Sequence, residues 1–444
     1  MDLGTASRED RLEVIARQQA LIAQLEVRIR ELEARLGGGS PPQRMPGHKP
    51  PIPPRPDPPP PRKRRAQGYG RRRSEPTRRV GHALERCPRC DCALGGGSVK
   101  RTREVIELAL PPVEVIEHRY LERVCPLCGK RWTPQVDLAG QVVGHRRLGV
   151  TLTSLIATLR EVGRGPVRTI PWYLSTFHQR SLSAGAIVRA TQQVAQAGAD
   201  AVEEIRTQIR GSPVVQADET GWRENGANRY GWSFRTPTER YFAFGTRAGA
   251  MVDAVLEEDF GGVLVSDGYT AYHHLPCPHQ RCWVHALRDL HELKARYPDD
   301  AQLARWVGRI HQLSQAAKDY PGGEGQPTRA ERVQAQRRFQ QRLHALVAPY
   351  LADPAHRRHR VSAYLERYLW DGFTFVVYPE VPSDNNAAER SLRHLVVTRK
   401  ISGGTRSSEG TATKMALATL FGTWQARGLN PFSACHQLLT SPGV

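Results

Sequence analysis

The sequence contains no long apolar run and no secretion signal. No stretch approaches the roughly 18 consecutive apolar residues of a membrane-spanning helix, and the chain begins with the polar, acidic segment MDLGTASRED. These absences argue against an integral membrane protein and against a secreted one, so we expect a cytoplasmic protein. At 444 residues the chain is long enough for two or three domains with buried cores.

Acidic residues are scarce relative to basic ones. Asp and Glu total 44 against 64 Lys and Arg, which leaves a formal net charge of +20 and a sequence pI near 10.0. Such an excess favours a polyanion as partner, because each phosphate that a basic side chain neutralises releases counterions. An ordinary basic soluble protein is the alternative.

Residues 8–36 carry a heptad pattern. Ile15, Ile22, Ile29 and Leu36 recur every seven residues, and charged residues occupy most of the flanking positions. The pattern predicts a short coiled coil, whose simplest product is a homodimer. The alternative is an amphipathic helix that packs on the rest of the same chain.

Residues 37–80 are poor in apolar residues and rich in Pro and Arg. This composition cannot form a core and predicts an extended, disordered linker. We expect its two basic clusters to contact DNA phosphates without reading bases, although they could also be solvated linker charge. The clusters are Arg62, Lys63, Arg64 and Arg65, followed by Arg71, Arg72 and Arg73.

Four of the eight cysteines form two C-x-x-C pairs. In a reducing compartment this spacing argues for metal binding rather than disulfides. Two such turns joined by a strand-rich insert predict a zinc ribbon over residues 81–135, with a structural Zn²⁺ held by four thiolates. Cys92 could take the place of Cys90 in the first turn. The predicted ligands are Cys87, Cys90, Cys125 and Cys128.

Residues 145–210 show helical spacing of apolar residues. Gly163, Gly165 and Pro166 interrupt the pattern, and Ser183 is a candidate N-cap. We therefore expect a helical region here. A helix-turn-helix that reads DNA and a plain helical connector would show the same pattern, so both interpretations stay open.

Two short β runs after residue 211 end in aspartate. The run in SPVVQADETGW ends at Asp218, and the run in GGVLVSDGYTAY ends at Asp267. Such strands can place both carboxylates at neighbouring strand ends, although a lone Asp more often forms a turn or a helix cap. Because two ionised carboxylates repel, Mg²⁺ or Mn²⁺ would offset the repulsion through oxygen ligands. Two such ions would orient the attacking and leaving oxygens of a phosphoryl transfer.

A third acidic ligand is expected from the segment VPSDNNAAERSLRHLVVTRK. It predicts a helix that is capped by Ser383 or Asp384 and that carries Glu389 inward. Asp384 and Glu380 are rivals for the same role. The alternative for Glu389 is a surface ion pair with Arg393, four residues later.

The segment CPHQRCWVH holds two cysteines and two histidines. We expect Cys282 and His285 to lie on one face of a helix that packs behind the second aspartate. The alternative is a second zinc site that also uses Cys277 and His279, although the spacing is cramped.

Further polar residues surround the predicted Glu389 helix. Asn385 and Asn386 are expected to orient that helix or to bond DNA, and helix capping is an equal alternative. DNA contacts are also expected beside and within the Gly-rich segment RKISGGTRSSEG, whose backbone can approach a phosphate closely; solvated loop charge is the alternative. The predicted DNA-contacting residues are Arg390, Arg393, Arg399, Lys400 and Arg406.

The ordered motifs ADETGW, SDGYTAYHHL, RCWVHALRDL, SDNNAAERSLRHLVVTRKISGGTRSSEG and GTWQARGLNPF resemble those of the IS66 family of bacterial insertion-sequence transposases. The coiled coil, the basic linker and the four-cysteine ribbon also stand in that family's order. The similarity spans nearly the whole chain and is weakest over residues 160–182. It implies a multidomain α/β protein with an RNase H-like core over residues 211–435, in which Asp218, Asp267 and Glu389 match the three acids of a DDE site.

The resemblance also implies an activity and partners. It implies a transposase that cleaves DNA at the ends of an insertion sequence and joins the freed 3′-hydroxyl ends to target DNA. The implied partners are terminal inverted repeats, target DNA and small accessory proteins of the same element, in the bacterial cytoplasm at the nucleoid. A polar helical stretch at about 295–370 predicts an insertion into the core. An RNase H-like nuclease without strand transfer and a non-catalytic DNA-binding regulator are the alternatives.

Overall fold

The computed structural model describes most of the chain after residue 74. The coiled coil expected over residues 8–36 lies outside the described residues, and so do the basic linker clusters at 62–65 and 71–73. Those three features therefore stay predictions. The described ranges are 75–76, 78–96, 98–100, 102–103, 113–144, 146–320 and 325–441.

The structure divides into two compact units, Met1–Ile106 and Glu107–Val444. The ribbon expected over residues 81–135 has its first cysteine turn in one unit and its second in the other. In the second unit, the exposed residues 113–122 form neither helix nor strand. Within the described residues 113–124 of the predicted strand-rich insert, strand geometry occurs only at Arg123–Val124.

Two short strands flank the second cysteine turn. β1 (Arg123–Val124) pairs antiparallel with β2 (Arg131–Trp132). Gly129 lies between them with a φ of +68°, a conformation that costs glycine little. The turn thus has a small antiparallel ladder of its own.

Four helices follow where the sequence predicts a helical region. The Ser183 side chain accepts a hydrogen bond from the Ala186 N–H at 3.2 Å, as expected for the N-cap of the third helix. Gly198 ends the third helix and begins the fourth without a connecting loop. The helices are α1 (Val150–Glu161), α2 (Thr169–His178), α3 (Ala184–Ala197) and α4 (Ala199–Arg210).

A five-stranded mixed sheet lies at the centre of the described second unit, in the order β5-β4-β3-β6-β7. The first three strands in chain order pair antiparallel, and the last two run parallel to β3. Asn225 and Gly226 connect β3 to β4 with positive φ at both residues, which matches the twist of a tight hairpin. The strands are β3 (Val214–Glu224), β4 (Ala227–Arg235), β5 (Arg240–Gly245), β6 (Val263–Ser266) and β7 (His279–Arg281).

Helices dominate the chain from β5 to residue 377, apart from β6 and β7. The stretch expected to be a helical insertion contains α7 to α9, and its apolar residues form one core with α6 and the buried face of β6. Thr328 and Glu331 form a capping box at the start of α8. The helices are α5 (Ala250–Leu256), α6 (Trp283–Arg296), α7 (Ala301–Lys318), α8 (Arg329–Val347), α9 (His359–Arg367) and α10 (Thr374–Val377).

Three C-terminal helices complete the described fold: α11 (Asn386–Ser402), α12 (Ser408–Ala426) and α13 (Pro431–Thr440). α11 and α12 cover the sheet face that carries Trp222, which packs against Leu392. α5 covers the opposite face. Among the residues that the structure describes, every helix is too short or too polar to span a lipid bilayer.

Candidate active site

Asp218 and Asp267 stand on adjacent parallel strands. Asp218 lies in β3, and Asp267 follows the last residue of β6. The register pairs Gln216 with Val265, so its continuation by two residues puts the two aspartates level. Neighbouring strands are about 4.8 Å apart. Asp218 is the fifth of the 11 residues of β3, so the expectation that its β run ends there is wrong. The two runs nevertheless bring both acids side by side.

Strand alternation decides which way Asp218 points. Residues two apart on a strand share a face, so Asp218 shares the face of Gln216 and Trp222. Trp222 packs against α11, and the Gln216 side chain donates to the Asp384 carbonyl at 3.2 Å. Asp218 therefore faces the start of α11, where Glu389 lies in the first turn.

Asn385 ties α11 to the strand. Its side-chain Nδ2 donates to the Ala217 carbonyl at 2.7 Å, one residue before Asp218, and the residue is 1% exposed. The sequence predicted Ser383 or Asp384 as the N-cap of this helix. In the structure the N-cap is Asn385. Its side chain is committed to β3 and makes no capping bond. Asn385 therefore orients the helix that carries the third acid.

Asp384 and Asn386 have local roles beside this tether. The Asp384 side chain accepts from the Asn386 N–H at 3.0 Å, which stabilises the turn into α11. Glu380, the other rival for the third position, is exposed. Glu389 lies near enough to Asp218 for its charge to raise the pKa of that aspartate.

Cys282 and His285 lie at the start of α6, as expected. The buried Cys282 Sγ accepts from the Asn385 N–H at 3.2 Å, and its own N–H donates to the Ser266 carbonyl at 3.0 Å. His285 Nε2 lies 3.8 Å from Glu389 Oε1. Cys282 thus links the end of β6 to the start of α11, and His285 is the neighbour of the third acid.

The alternative of a second zinc site around Cys282 is not supported. Cys277 Sγ lies 3.9 Å from His279 Nε2, but His279 Nε2 also lies 3.1 Å from the Leu275 carbonyl. In the described part of the chain, no three ligand atoms of this segment lie within 4.8 Å of one another. Cys277 and His279 are instead buried within the core.

Burial and repulsion make the ionised form of Asp218 unfavourable. Burial, then the charges of Glu219 and Asp267, raise the pKa of Asp218 to about 8, and Glu389 adds to the rise. The Glu219 N–H, which donates to Asp218 Oδ1 at 3.0 Å, opposes it. Glu389 Oε1 is buried without a hydrogen-bond partner. A cation would offset the repulsion between these buried carboxylates, and hard divalent ions prefer such oxygen ligands.

Glu219 is a further acid of this site that the sequence analysis missed. Its side chain, 3% exposed, accepts from Arg247 Nη2 at 2.7 Å and from the Tyr272 hydroxyl at 2.8 Å. Burial raises the pKa of Glu219, and these two donors partly offset the rise. Strand alternation puts Glu219 on the face opposite Asp218. The sequence did carry a signal for Glu219, because an acid inside a buried β run needs a hydrogen-bond donor or a cation beside it.

The three proposed metal ligands are close without forming a single tight cluster. Across the described residues, the one group of three or more Cys, His, Asp or Glu whose ligand atoms lie within 4.8 Å of one another is Cys87, Cys90 and Cys92. The acids are near enough for Asp267 and Glu389 to raise the pKa of Asp218. They come from two strands and a helix that are far apart in sequence.

A comparison of the sequence with known protein families supports the resemblance of the motifs. A family model described as "Transposase IS66 family" matches residues 147–413, which is more than half of the chain. This chain belongs to the IS66 family of transposases. The prediction from the sequence is thus confirmed at the level of the family, and membership implies DNA binding and the use of divalent metal ions. A comparison with curated proteins found no match.

Four of the basic residues that were expected to contact DNA are exposed on this transposase. Arg390 and Arg393 lie on α11 next to Glu389, Lys400 lies near the end of the same helix, and Arg406 follows it. Their exposure leaves their charges accessible to a polyanion.

Arg399 of the transposase has a different environment. Its Nη1 donates to the Gly221 carbonyl of β3 and to Thr220 Oγ1. α11 continues to Ser402, so Arg399 lies in its last turn. The sequence had instead favoured a position on a Gly-rich segment. Gly403, with a φ of +71°, ends the helix. The structure gives Arg399 a role in holding the end of α11 on the sheet.

The two cysteine turns of the transposase each favour thiolates. The N–H groups of Arg89 and Cys90 lower the pKa of Cys87. Those of Cys128 and Leu127 do the same for Cys125. The thiolate is the form that binds zinc. A ribbon that joins both turns stays a prediction.

Cys92 stays a candidate ligand for the first turn. Its Sγ lies 3.3 Å from that of Cys90. All three sulfur atoms of the turn, including that of Cys87, lie within 4.8 Å of one another.

Proposed function

We propose that this protein is a DDE transposase that cleaves DNA at the ends of an insertion sequence and joins the freed 3′-hydroxyl ends to target DNA. The observation that carries the proposal is the meeting of Asp218, Asp267 and Glu389 at one edge of the sheet. Three antiparallel strands followed by two parallel ones support an RNase H-like core. The net charge of +20 suits a DNA substrate.

We assign the three acids to the binding of two Mg²⁺ or Mn²⁺ ions. The oxygens of the three carboxylates do not all lie within 4.8 Å of one another. Two ions about 3.5–4 Å apart can share them. Asp218 and Asp267 would hold the ions, and Glu389 would complete one coordination shell. When bound, such ions orient the attacking and leaving oxygens and offset the charge at phosphorus.

The reaction is two successive phosphoryl transfers. In the first, a water oxygen bonds to phosphorus and the bond to the 3′ oxygen breaks, which frees a 3′-hydroxyl. In the second, that hydroxyl bonds to a target phosphorus and displaces a target 3′ oxygen, so the number of phosphodiester bonds is unchanged. Asn385, bonded to β3, would hold α11 in position, and His285, next to Glu389, would contact a phosphate.

The remaining parts of the chain would organise the DNA. The basic linker and the exposed arginines and lysine around α11 would hold the DNA backbone without reading sequence. The coiled coil would pair two protomers and bring two terminal repeats together, with accessory proteins of the same element as further partners. The zinc ribbon would be structural. We place this protein in the bacterial cytoplasm, at the nucleoid when it is bound to DNA.

A cleavage assay on a plasmid that carries the gene with its flanking DNA tests the proposal. Asp218→Asn, Asp267→Asn and Glu389→Gln should each abolish Mg²⁺-dependent cleavage and leave DNA affinity nearly unchanged. Glu380→Gln is the matched control, because this nearby acid is exposed, and it should cut like the wild type. Cleavage by the Asp218→Asn variant would contradict the assignment.

A strand-transfer assay with pre-cut ends separates the rival functions. Joining of these ends to a target plasmid is expected of a transposase. A nuclease that only hydrolyses would nick DNA without joining it. A DNA-binding regulator would bind the ends and show no metal-dependent nicking.

A further inference from the structure

The unit Glu107–Val444 also contains an arginine-lined cavity of about 360 Å³. It lies between the end of α1, the strands β4 and β5, and the helices α11 and α12. Arg164, Arg235, Arg240 and Arg390 line it, together with apolar residues such as Phe242. These arginines come from four separate parts of the chain. Its volume is within the range of small-ligand sites.

The four arginines have no acidic partners. In the part of the chain that the structure describes, none of them has a carboxylate oxygen within 4.0 Å. Arg235 donates to the Gln216 side chain at 2.9 Å and to the Thr236 carbonyl at 3.0 Å, while its Nε is buried without a partner. Burial, then the charge of Arg235, lowers the pKa of Arg240 to about 10. The charge of Glu239 opposes this shift, and the carbonyls of Thr236 and Glu239 accept from Arg240 Nη1. The cavity therefore concentrates positive charge that an outside anion would offset further.

The one acid that lines the cavity is already neutralised. Glu161 Oε2 accepts from Lys414 Nζ at 2.7 Å and lies 2.8 Å from His394 Nε2. Burial opposes ionisation of Glu161, but the charge of Lys414 and the bond to His394 outweigh it and lower its pKa to about 2. Glu161 is thus a buried carboxylate with its own cation. It does not balance the arginines.

The cavity and the acidic site lie on opposite sides of α11. Ala387, Arg390, Ser391 and His394 line the cavity and share one helix face, being three or four residues apart. Glu389 lies about 150° around the helix from that face, at 3.6 residues per turn. A helix with its side chains is about 10–12 Å across. A DNA strand that rises about 3.4 Å per nucleotide covers this distance in about three nucleotides.

We propose that the cavity binds a backbone phosphate of the DNA substrate, about two to four nucleotides from the phosphate that is cut. The proposal rests on the proposed function, since it takes the acids of α11 as the cutting site. Arg164 and Arg390 at the exposed rim admit the phosphate, and Arg235 and Arg240 form the deeper wall. A phosphate there fixes how far the strand extends past α11, and so which bond reaches the acids.

Neutral phosphate analogues combined with arginine variants test the proposal. Single methylphosphonate linkages are placed along a DNA end whose cleavage site has been mapped, and affinity is measured with Mg²⁺ replaced by Ca²⁺ to prevent cutting. At a counterion slope of about 0.9, one phosphate contact is worth about eightfold in affinity at about 0.1 M salt. The wild type should lose about this much at one position two to four nucleotides from the cut.

The Arg164→Gln/Arg390→Gln double variant should show the same loss with unmodified DNA and no further loss at that methylphosphonate. The matched control is Arg338→Gln, an exposed arginine on α8 that does not line the cavity. It should keep the full sensitivity of the wild type. The proposal would be overturned if the double variant lost as much DNA affinity at that methylphosphonate as the wild type does.

Three other outcomes distinguish the DNA phosphate site from a free-anion site and from the proposed catalytic function. We call it coupling when the double variant loses no further affinity at the methylphosphonate to which the wild type is sensitive. If inorganic phosphate at about 10 mM stabilises the wild type but not the double variant, and coupling is absent, the cavity binds a free anion. That result would overturn the DNA assignment. If Asp218→Asn still cleaves while the coupling is present, the proposed catalytic function fails and the phosphate site stands. If Asp218→Asn is inactive and the coupling is absent, only the phosphate site fails.

Discussion

Replacing Asp218 with asparagine removes a carboxylate that is held beside other acids. Burial, then the charges of Glu219 and Asp267, raise its pKa from 3.8 to about 8. Because one pKa unit is about 1.4 kcal/mol, ionised Asp218 costs the cation-free folded protein at most about 6 kcal/mol at pH 8. Protonation of a neighbouring acid and local relaxation reduce this cost. We therefore expect Asp218→Asn to raise the free energy of unfolding by about 2–4 kcal/mol.

The stabilisation should depend on pH in a definite direction. A carboxyl group whose pKa is higher in the folded state holds its proton more tightly there, so folding stability falls as the pH rises from about 4 to about 8. The asparagine variant has no such group. Its advantage over the wild type should be near zero at pH 4 and largest at pH 8.

Urea unfolding of the full-length protein measures both effects. With chelator present, the variant should be more stable than the wild type at pH 8 and nearly equal to it at pH 4. With Mg²⁺ at 100 times its dissociation constant, the wild type should gain about 2.7 kcal/mol, because the ion binds the folded state alone. The variant, which lacks one ligand, should gain much less.

Two results would refute this reasoning. If Asp218→Asn is less stable than the wild type at pH 8 in chelator, the carboxylate is not held at an energetic cost. If Mg²⁺ stabilises both proteins equally, Asp218 is not a metal ligand. Glu380→Gln, at an exposed position, is the control and should change neither measurement.

Further variants test the supports of the site. Asn385→Ala removes the side-chain donor to the Ala217 carbonyl and should lower the free energy of unfolding in urea by about 1–3 kcal/mol. The cleavage rate should fall more than the DNA affinity. An equal fall in both would contradict a positioning role. Lys414→Met leaves the Glu161 charge buried and should cost about 3–5 kcal/mol, most of it recovered by adding Glu161→Gln; a loss without recovery would argue against a charge effect. Cys125→Ser should lower the zinc content of the purified protein while Cys92→Ser keeps it, as elemental analysis would show, and loss in both would make Cys92 a ligand.

Local patterns were sufficient to locate the two aspartates. The aspartates follow β runs whose apolar residues make them strands in any compact fold, and the register of parallel strands then brings Asp218 level with Asp267. Glu389 lies in a segment whose periodicity makes it a helix. Its assignment to the site needed the family resemblance, because a helical period alone does not say which element the helix packs against.

Residues whose role depends on a distant partner could not be assigned from the sequence. Arg399 was expected to contact DNA from a Gly-rich segment, but its guanidinium donates to the β3 backbone. Glu219 received no role, although it is buried beside Asp218 and bonded to Arg247 and Tyr272. In each case the partner is more than 25 residues away in the chain, and no local pattern encodes that pairing.

The family, the strongly basic charge, the order of the elements and the three acids follow from the covalent sequence, since residue type and spacing are local properties that folding does not change. The hydrogen bond of Asn385 to β3 and the cavity formed by Arg164, Arg235, Arg240 and Arg390 exist only once α11 has packed on the sheet. That packing is set by the burial of Trp222, Leu392 and their neighbours. Tertiary structure alone therefore decided where charge accumulates without a counter-ion.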